Sequence, residues 1–373
     1  VTDRDALIIL NMISGIGSAR LEALLARFNS PASVFQASLR ELESIHRIGP
    51  SVAEKILNWK EDVDFEKEMT LAERGGVKII TRLDPEFPEI LKEIYDPPIC
   101  LYVRGELPDL NQRSVAIVGS RRMSNYGRRM ARHFAESAAY ADWTVISGLA
   151  YGIDAVAHQA CLDAGGKTVA VLGGGLARIH PQEHIPLARD IINSGAVISE
   201  FPMEFPPSRQ SFPRRNRIVS GLSQAVLVVE AGVSSGALIT ANIALEQNRN
   251  LYAVPGQADQ PQAKGCHLLI KDGAKLTETF EDIMEDSEFL PGFCFPSSRK
   301  SRTEASQETE AEYEACSEEE QKILKVLADG DCPIDSIAIQ TNLPAGALLS
   351  TLMKLEMKKR IKQLPGRHYT IRG

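Results

Sequence analysis

Val115-Ala116-Ile117-Val118-Gly119-Ser120-Arg121-Arg122 is a run of four apolar residues closed by a glycine, a serine and two arginines. Four apolar residues without strict alternation suit a strand buried on both faces. Similar short runs follow at Thr144–Ser147, Thr168–Leu172, Ala196–Ser199, Ala225–Val229 and Leu251–Val254, and most of the gaps hold enough chain for a helix. The spacing predicts an α/β fold, a doubly wound and mainly parallel sheet. Val77–Ile80 and Cys100–Val103 add candidate strands upstream, with Asp84-Pro85, Asp96-Pro97-Pro98 and Gly105 as turn signals.

A second charged turn decides what such a sheet could hold. Ser211-Phe212-Pro213-Arg214-Arg215-Asn216-Arg217-Ile218-Val219 crowds three arginines and an asparagine into four positions before an apolar pair. Read as another strand end, it would share one sheet edge with Gly119-Ser120-Arg121. Two such loops make one anion pocket. Arginine grips phosphate oxygens with a planar fork of donors, and glycine and serine let the backbone come close. The competing reading is a set of salt bridges to acids such as Glu200 and Glu230, with Arg215 or Arg217 as braces. Were the anion the backbone of a nucleic acid, the 6% aromatic content would favour phosphate contact over base stacking and leave sequence preference slight.

The formal net charge of −7 looks wrong for a nucleic-acid binder until it is located. Eight glutamates against Arg302 place all of it in residues 301–320, and the remainder is formally neutral. Rich in Ser, Thr and Glu, the stretch around 296–315 cannot bury enough apolar surface to order itself and reads as a linker. The 373 residues divide accordingly into a helical domain (1–75), the α/β domain (76–287), an acidic linker (288–316) and a terminal domain (317–373).

Ile13-Ser14-Gly15-Ile16-Gly17-Ser18-Ala19-Arg20 and Arg47-Ile48-Gly49-Pro50-Ser51-Val52-Ala53 each lie between helical apolar patterns and resemble helix-hairpin-helix turns. Arg47 stands where the first copy has Gly15. The terminal domain shows three helical stretches and a hairpin, Ile361–Leu364 and His368–Ile371 about Pro365-Gly366, the order of a winged helix. Its third helix carries Lys354 as its only base, and Lys358, Lys359, Arg360, Lys362, Arg367 and Arg372 cluster later, which favours partner binding or backbone contact over base reading. Six scattered cysteines without a CxxC pair argue against a zinc ribbon or disulfide framework. With no run of 18 apolar residues and no signal-peptide pattern, a cytoplasmic protein without a membrane span is expected.

Four motifs invite catalysis and do not carry it. Gly165-Gly166-Lys167-Thr168 ends like a P-loop, but Cys161 stands where the upstream glycine belongs and a strand follows. Val118-Gly119-Ser120-Arg121 puts arginine where a dinucleotide fingerprint needs its second glycine. Gly232-Val233-Ser234-Ser235-Gly236 fits a nucleophile elbow, but Asp259 or Asp272 with His267 make no convincing triad, and small residues there free backbone N–H groups for an anion. His180 and His184 lack a third metal ligand. No catalytic residue, metal or cofactor is expected.

The motif series resembles the DNA-processing protein A (DprA/Smf) family. Val115–Arg121, Ser147–Asp154 with Ala157-His158, Gly166–Gly173, Ser199-Glu200, Phe212–Ile218, Val228–Ala231, Ser235–Thr240 and Ala253–Gly256 carry the likeness. The resemblance implies an extended Rossmann-like fold that binds single-stranded DNA, protects incoming strands during natural transformation and loads RecA recombinase. It also implies a homodimer, no nucleotide cofactor, and a DNA-binding pocket of Gly119, Ser120, Arg121, Arg214, Arg215, Asn216, Arg217 and Gly236. The family often has tyrosine and asparagine where this chain has His180 and His184. An enzymatic alternative, a nucleotide phosphoribohydrolase of related fold, would use a glycine-rich PGGxGT loop; Ala231–Gly236 lacks its proline, double glycine and following acid. A duplex-specific regulator would rest on the winged helix alone.

Overall fold

The computed structural model describes residues 1–111 and 113–288 and part of 318–371. The chain forms two compact units, Val1–Pro291 and Gly292–Gly373.

The first unit opens with helices α1 (Asp3–Met12), α2 (Ser18–Phe28), α3 (Leu39–Glu43), α4 (Pro50–Leu57), α5 (Trp59–Asp62) and α6 (Phe65–Arg74). Their starts follow from the sequence. Thr2 with Asp5 and Ser38 with Glu41 form capping boxes, and Pro50 opens α4 where its missing N–H costs nothing. Gly15 turns the first hairpin at φ +93°, and Arg47 adopts φ +73° in the second, so an arginine holds a left-handed turn there. The Arg20 guanidinium ties the hairpins together through the carbonyls of Gly15 and Arg47.

The sheet follows, with strands β1 (Lys78–Thr81), β2 (Cys100–Gly105), β3 (Ser114–Gly119), β4 (Thr144–Ser147), β5 (Thr168–Val171), β6 (Gly195–Ser199), β7 (Ala225–Glu230), β8 (Asn250–Ala253) and β9 (Lys275–Leu276). Helices α7 (Glu89–Lys92), α8 (Asn125–Tyr140), α9 (Ile153–Asp163), α10 (Ile185–Ser194), α11 (Ser211–Gly221), α12 (Gly236–Glu246), α13 (Lys264–Lys271) and α14 (Glu281–Glu288) connect and cover it. The strand order is β1-β2-β6-β5-β4-β3-β7-β8-β9. From β6 to β9 every pair is parallel, and β1 and β2 extend the sheet antiparallel. β9, two residues long, is too short to leave a sequence pattern. The chain winds from β3 to β4 on one side and later enters β7 on the other, which opens a crevice at their carboxyl ends.

One expectation needs correction. Ser211–Gly221 is a helix, not a strand end. Its buried Ser211, Arg215, Ile218 and Leu222 recur at three- and four-residue spacing, and Pro213 sits in the first turn, where its absent N–H had no intrahelical partner. Ile218, Val219 and Leu222 join the core on one face of the sheet, and Phe134, Trp143, Ala157 and Phe280 build the other. Trp143 and Phe280 meet edge to face at 5.4 Å. A further core joins helices to sheet: Ile8 of α1 packs with Ile79, Cys100, Tyr102 and Val197.

In the second unit, α15 (Glu318–Leu327) and strands β10 (Cys332–Pro333), β11 (Ile361–Leu364) and β12 (His368–Ile371) enclose a core of Ile323, Leu327, Ile337, Leu348, Leu352, Leu355 and Tyr369. The strands run β10-β12-β11, all antiparallel, so the expected hairpin is there with one more short strand against it. Lys358, Lys359, Arg360, Arg367, Arg372 and residues 289–317, which hold nearly all of the expected acidic linker, lie outside the described residues.

Candidate nucleic-acid interface

The site begins at the end of β3. Val118 stands opposite Val228 but Gly119 opposite Glu230, so the register slips and the chain turns away from its neighbour. Ser120 N–H donates to the Glu230 carbonyl at 2.7 Å. Gly119 has no room for a side chain, since a Cβ there would lie 2.6 Å from Ile153 Cγ1. Gly152, at φ +82°, lets the start of α9 come down on the Ser120 carbonyl, which accepts from Ile153 N–H at 3.2 Å. The Ser120 hydroxyl accepts from Arg122 N–H at 3.1 Å, and the Arg121 guanidinium lies 5.3 Å over the Phe212 ring.

From the other side comes α11. Arg215 is buried, and its nearest carboxylate, Asp154, is 4.0 Å away. Asp154 is partly committed elsewhere, accepting from the N–H groups of Gly148 and Ala150. The Arg215 Nε has no partner. Burial holds the Arg215 pKa below its ordinary value against the pull of Asp154, and the charge of Arg121 adds to the depression. Burial likewise raises the Asp154 pKa, with Arg215 opposing. Gly148 makes the seat possible: a Cβ there would fall 1.2 Å from Arg215 Nη1.

Arg214 and Arg217 face elsewhere. Arg217 binds the carboxylates of Glu200 and Asp96 and the Asp96 carbonyl. Arg214, half exposed, stands 3.7 Å from Glu200 and over the Phe201 ring.

Together these elements surround a cavity of about 680 Å³ at the crevice between β3 and β7. Of the residues expected from sequence, Gly119, Ser120, Arg121, Arg215, Asn216 and Gly236 line it, and Arg214 and Arg217 do not. Arg122 and Arg209 also line it, as does Thr240 from α12. Arg209 precedes the first turn of α11, so helical spacing within the arginine cluster does not reach it; its charge is the signal the sequence offers. Four arginines and one carboxylate, Asp154, line the cavity, so positive charge outweighs negative in its wall. Gly236 opens α12, where Ser235 caps the helix through Ala237 N–H, so the amino end of a helix points the same way.

The catalytic look-alikes are otherwise engaged. His267 Nε2 lies 3.0 Å from the Gly256 carbonyl. His184 Nδ1 pairs with the Leu149 carbonyl at 2.9 Å, and His180 packs at 6.2 Å from Phe212. Thr168 starts β5, and its hydroxyl, donating to the Val145 carbonyl, accepts from His158 Nδ1. No cluster of three metal-ligating side chains occurs among the described residues. No helix among them is long and apolar enough to cross a membrane.

Residues 78–288 match the family model for DNA recombination-mediator protein A, residues 304–367 that for the DprA winged helix domain, and residues 7–58 a SAM-like helix-hairpin-helix tandem. Protein Smf of Escherichia coli (strain K12) is 41% identical over 291 residues, covering 78% of this chain and 76% of that protein. DNA processing protein DprA of Bacillus subtilis (strain 168) is 41% identical over 57% of this chain and 71% of its own length. The X-ray structure of DNA processing protein A from Streptococcus pneumoniae superposes with a TM-score of 0.66 at 32% identity, covering 76% of this chain and 97% of that one. DNA processing protein A from Helicobacter pylori, solved for its single-stranded DNA binding mode, gives 0.51 at 26% identity, over 56% of this chain and 95% of that one.

Proposed function

Because this chain belongs to the DNA recombination-mediator protein A (DprA/Smf) family, we propose that it is a non-enzymatic mediator that binds single-stranded DNA, protects incoming strands and loads RecA recombinase onto them. The observation that carries the reading is the cavity at the β3–β7 crevice, with Arg121, Arg122, Arg209 and Arg215 around one carboxylate. A buried guanidinium with donors to spare, as in Arg215, gains most from a ligand that brings its own negative charge. Phosphates of a flexible single strand can enter such a crevice, whereas a duplex holds its phosphates on a stiff convex surface. The single-strand binding named for the H. pylori relative agrees with this use of the site. In this reading the protein works as a cytoplasmic homodimer.

Full-length protein should bind oligo-dT in preference to duplex of equal length, with log affinity falling against log salt at a slope of about −0.7 per phosphate neutralised. Equal affinity for duplex, or release of free base from nucleotides, would overturn the proposal. RecA loading predicts that this protein shortens the lag before RecA hydrolyses ATP on single strands.

A further inference from the structure

A second cavity, of about 470 Å³, lies at the carboxyl ends of β7 and β8, between the start of α8 and the approach to α13. Its chemistry is the reverse of the first. Among the described residues no lysine or arginine lines it; its one charged side chain is Glu230, set among the amides of Asn125, Gln257, Gln260 and Gln262 over an apolar floor of Val254 and Ala263. Glu230 is buried, and its described partners all belong to Ser124: the N–H at 3.0 Å from Oε1 and 3.2 Å from Oε2, and the hydroxyl on Oε2. A carboxylate accepts about four hydrogen bonds, so Oε1 keeps capacity.

These walls select a ligand class. A lone buried carboxylate repels phosphate, and a single carboxylate is too few ligands for a divalent cation. A neutral, planar group with hydrogen-bond donors on its edge fits a small cavity of amides, one acceptor and an apolar floor. The two cavities also share parts. Gln262 lines both, and Glu230 joins them, its carbonyl accepting from Ser120 N–H of the first site while its side chain lines the second.

We propose that the second cavity is a nucleobase subsite, which takes one base of a strand whose phosphate is held at Arg121 and Arg215. This rests on the reading of the first cavity as a strand-phosphate site. Guanine is favoured, because its N1–H and N2 amino donors lie side by side and can both meet an acceptor-only carboxylate, whereas thymine presents a single N–H between two carbonyls. The site would thus add a base preference to a grip that is otherwise indifferent to sequence.

The test measures binding of full-length protein to labelled oligo-dT and to the same strand with guanine at every fourth position. The guanine strand should bind about fivefold tighter or more. Glu230→Gln should erase that difference, and the double variant Gln257→Leu/Gln260→Leu, which changes only exposed side chains and so guards against a folding defect, should erase it while leaving oligo-dT affinity unchanged. Equal affinity of the wild type for both strands, or variants that keep the preference, overturns the subsite. Free guanosine monophosphate that displaces the strand at equimolar concentration assigns the cavity to free nucleotides and also overturns it. Arg121→Ala separates the two readings: if it leaves oligo-dT binding intact, the phosphate site fails, and if it weakens binding while no guanine preference exists, only the base subsite fails.

Discussion

Arg215 and Arg217 stand two residues apart on α11, the first buried and the second nearly so, and they solve the problem of a charge withdrawn from water in opposite ways. Arg217 is neutralised by Glu200 and Asp96 and turns its back on the cavity. Neither Nε has a hydrogen bond, but Arg217 Nε lies 3.2 Å from the Asp96 carboxylate, whereas Arg215 has only Asp154, at the 4.0 Å limit of an ion pair, and a place in the cavity wall. The difference separates structure from readiness to bind. A spent guanidinium holds a helix in place; an unspent one keeps donors for the ligand proposed above.

The largest effect should come from the spent one. Arg217→Ala leaves Glu200 buried without its main partner, and burial already raises the pKa of that carboxyl while Arg217 opposes. It should lower unfolding stability by about 3–5 kcal/mol, read from urea midpoints. If it proves neutral, Arg217 is no brace.

Acid sensitivity sharpens the other half. His158 is held neutral, at about 3 against an ordinary 6.5, first by burial and then by the charges of Arg215 and His184. The unfolded chain therefore binds a proton that the folded one refuses, so the contribution is full above pH 6.5 and is lost as pH falls toward 3. Unfolding midpoints against pH should show this limb, His158→Gln should flatten it, and Arg215→Met should soften it in part because burial is the larger cause. An unchanged limb in His158→Gln would break the assignment.

Binding should invert the ranking of the arginines. Arg121→Ala and Arg215→Met should each weaken oligo-dT binding by about 1–3 kcal/mol in fluorescence anisotropy, with Arg121→Ala leaving stability nearly unchanged. The smallest effect belongs to Arg214→Ala: half exposed and 3.7 Å from Glu200, it should cost about 0–1 kcal/mol of stability. A loss of binding in Arg214→Ala that matched Arg121→Ala would show that the strand crosses the outer face of α11 as well.

Much of this was legible in the sequence. Short apolar runs marked eight strands because a strand buried on both faces has little choice of residue, and Gly119-Ser120-Arg121 announced the turn at the crevice. The cluster at 214–217 announced its charge but not its geometry. Helical spacing sends Arg215 to the cavity and Arg214 and Arg217 to the side of Glu200, and that division appears only once Ser211–Gly221 is seen as a helix. Arg209 was missed because it stands before the helix that sorts the other arginines, and Glu230 looked like a possible salt-bridge partner because nothing local shows that Ser124 holds it. The pairing of Gly148 with Arg215 spans more than sixty residues and leaves no local pattern.

Ile8 packs among sheet residues, and Asn11, one turn farther along α1, donates to the Glu200 carbonyl at 2.9 Å. The first helix of the chain is thereby a thermodynamic partner of the strands made much later. Melting should accordingly register as one calorimetric transition for residues 1–288, and amide protons of α1 and β2 should exchange with a common opening energy.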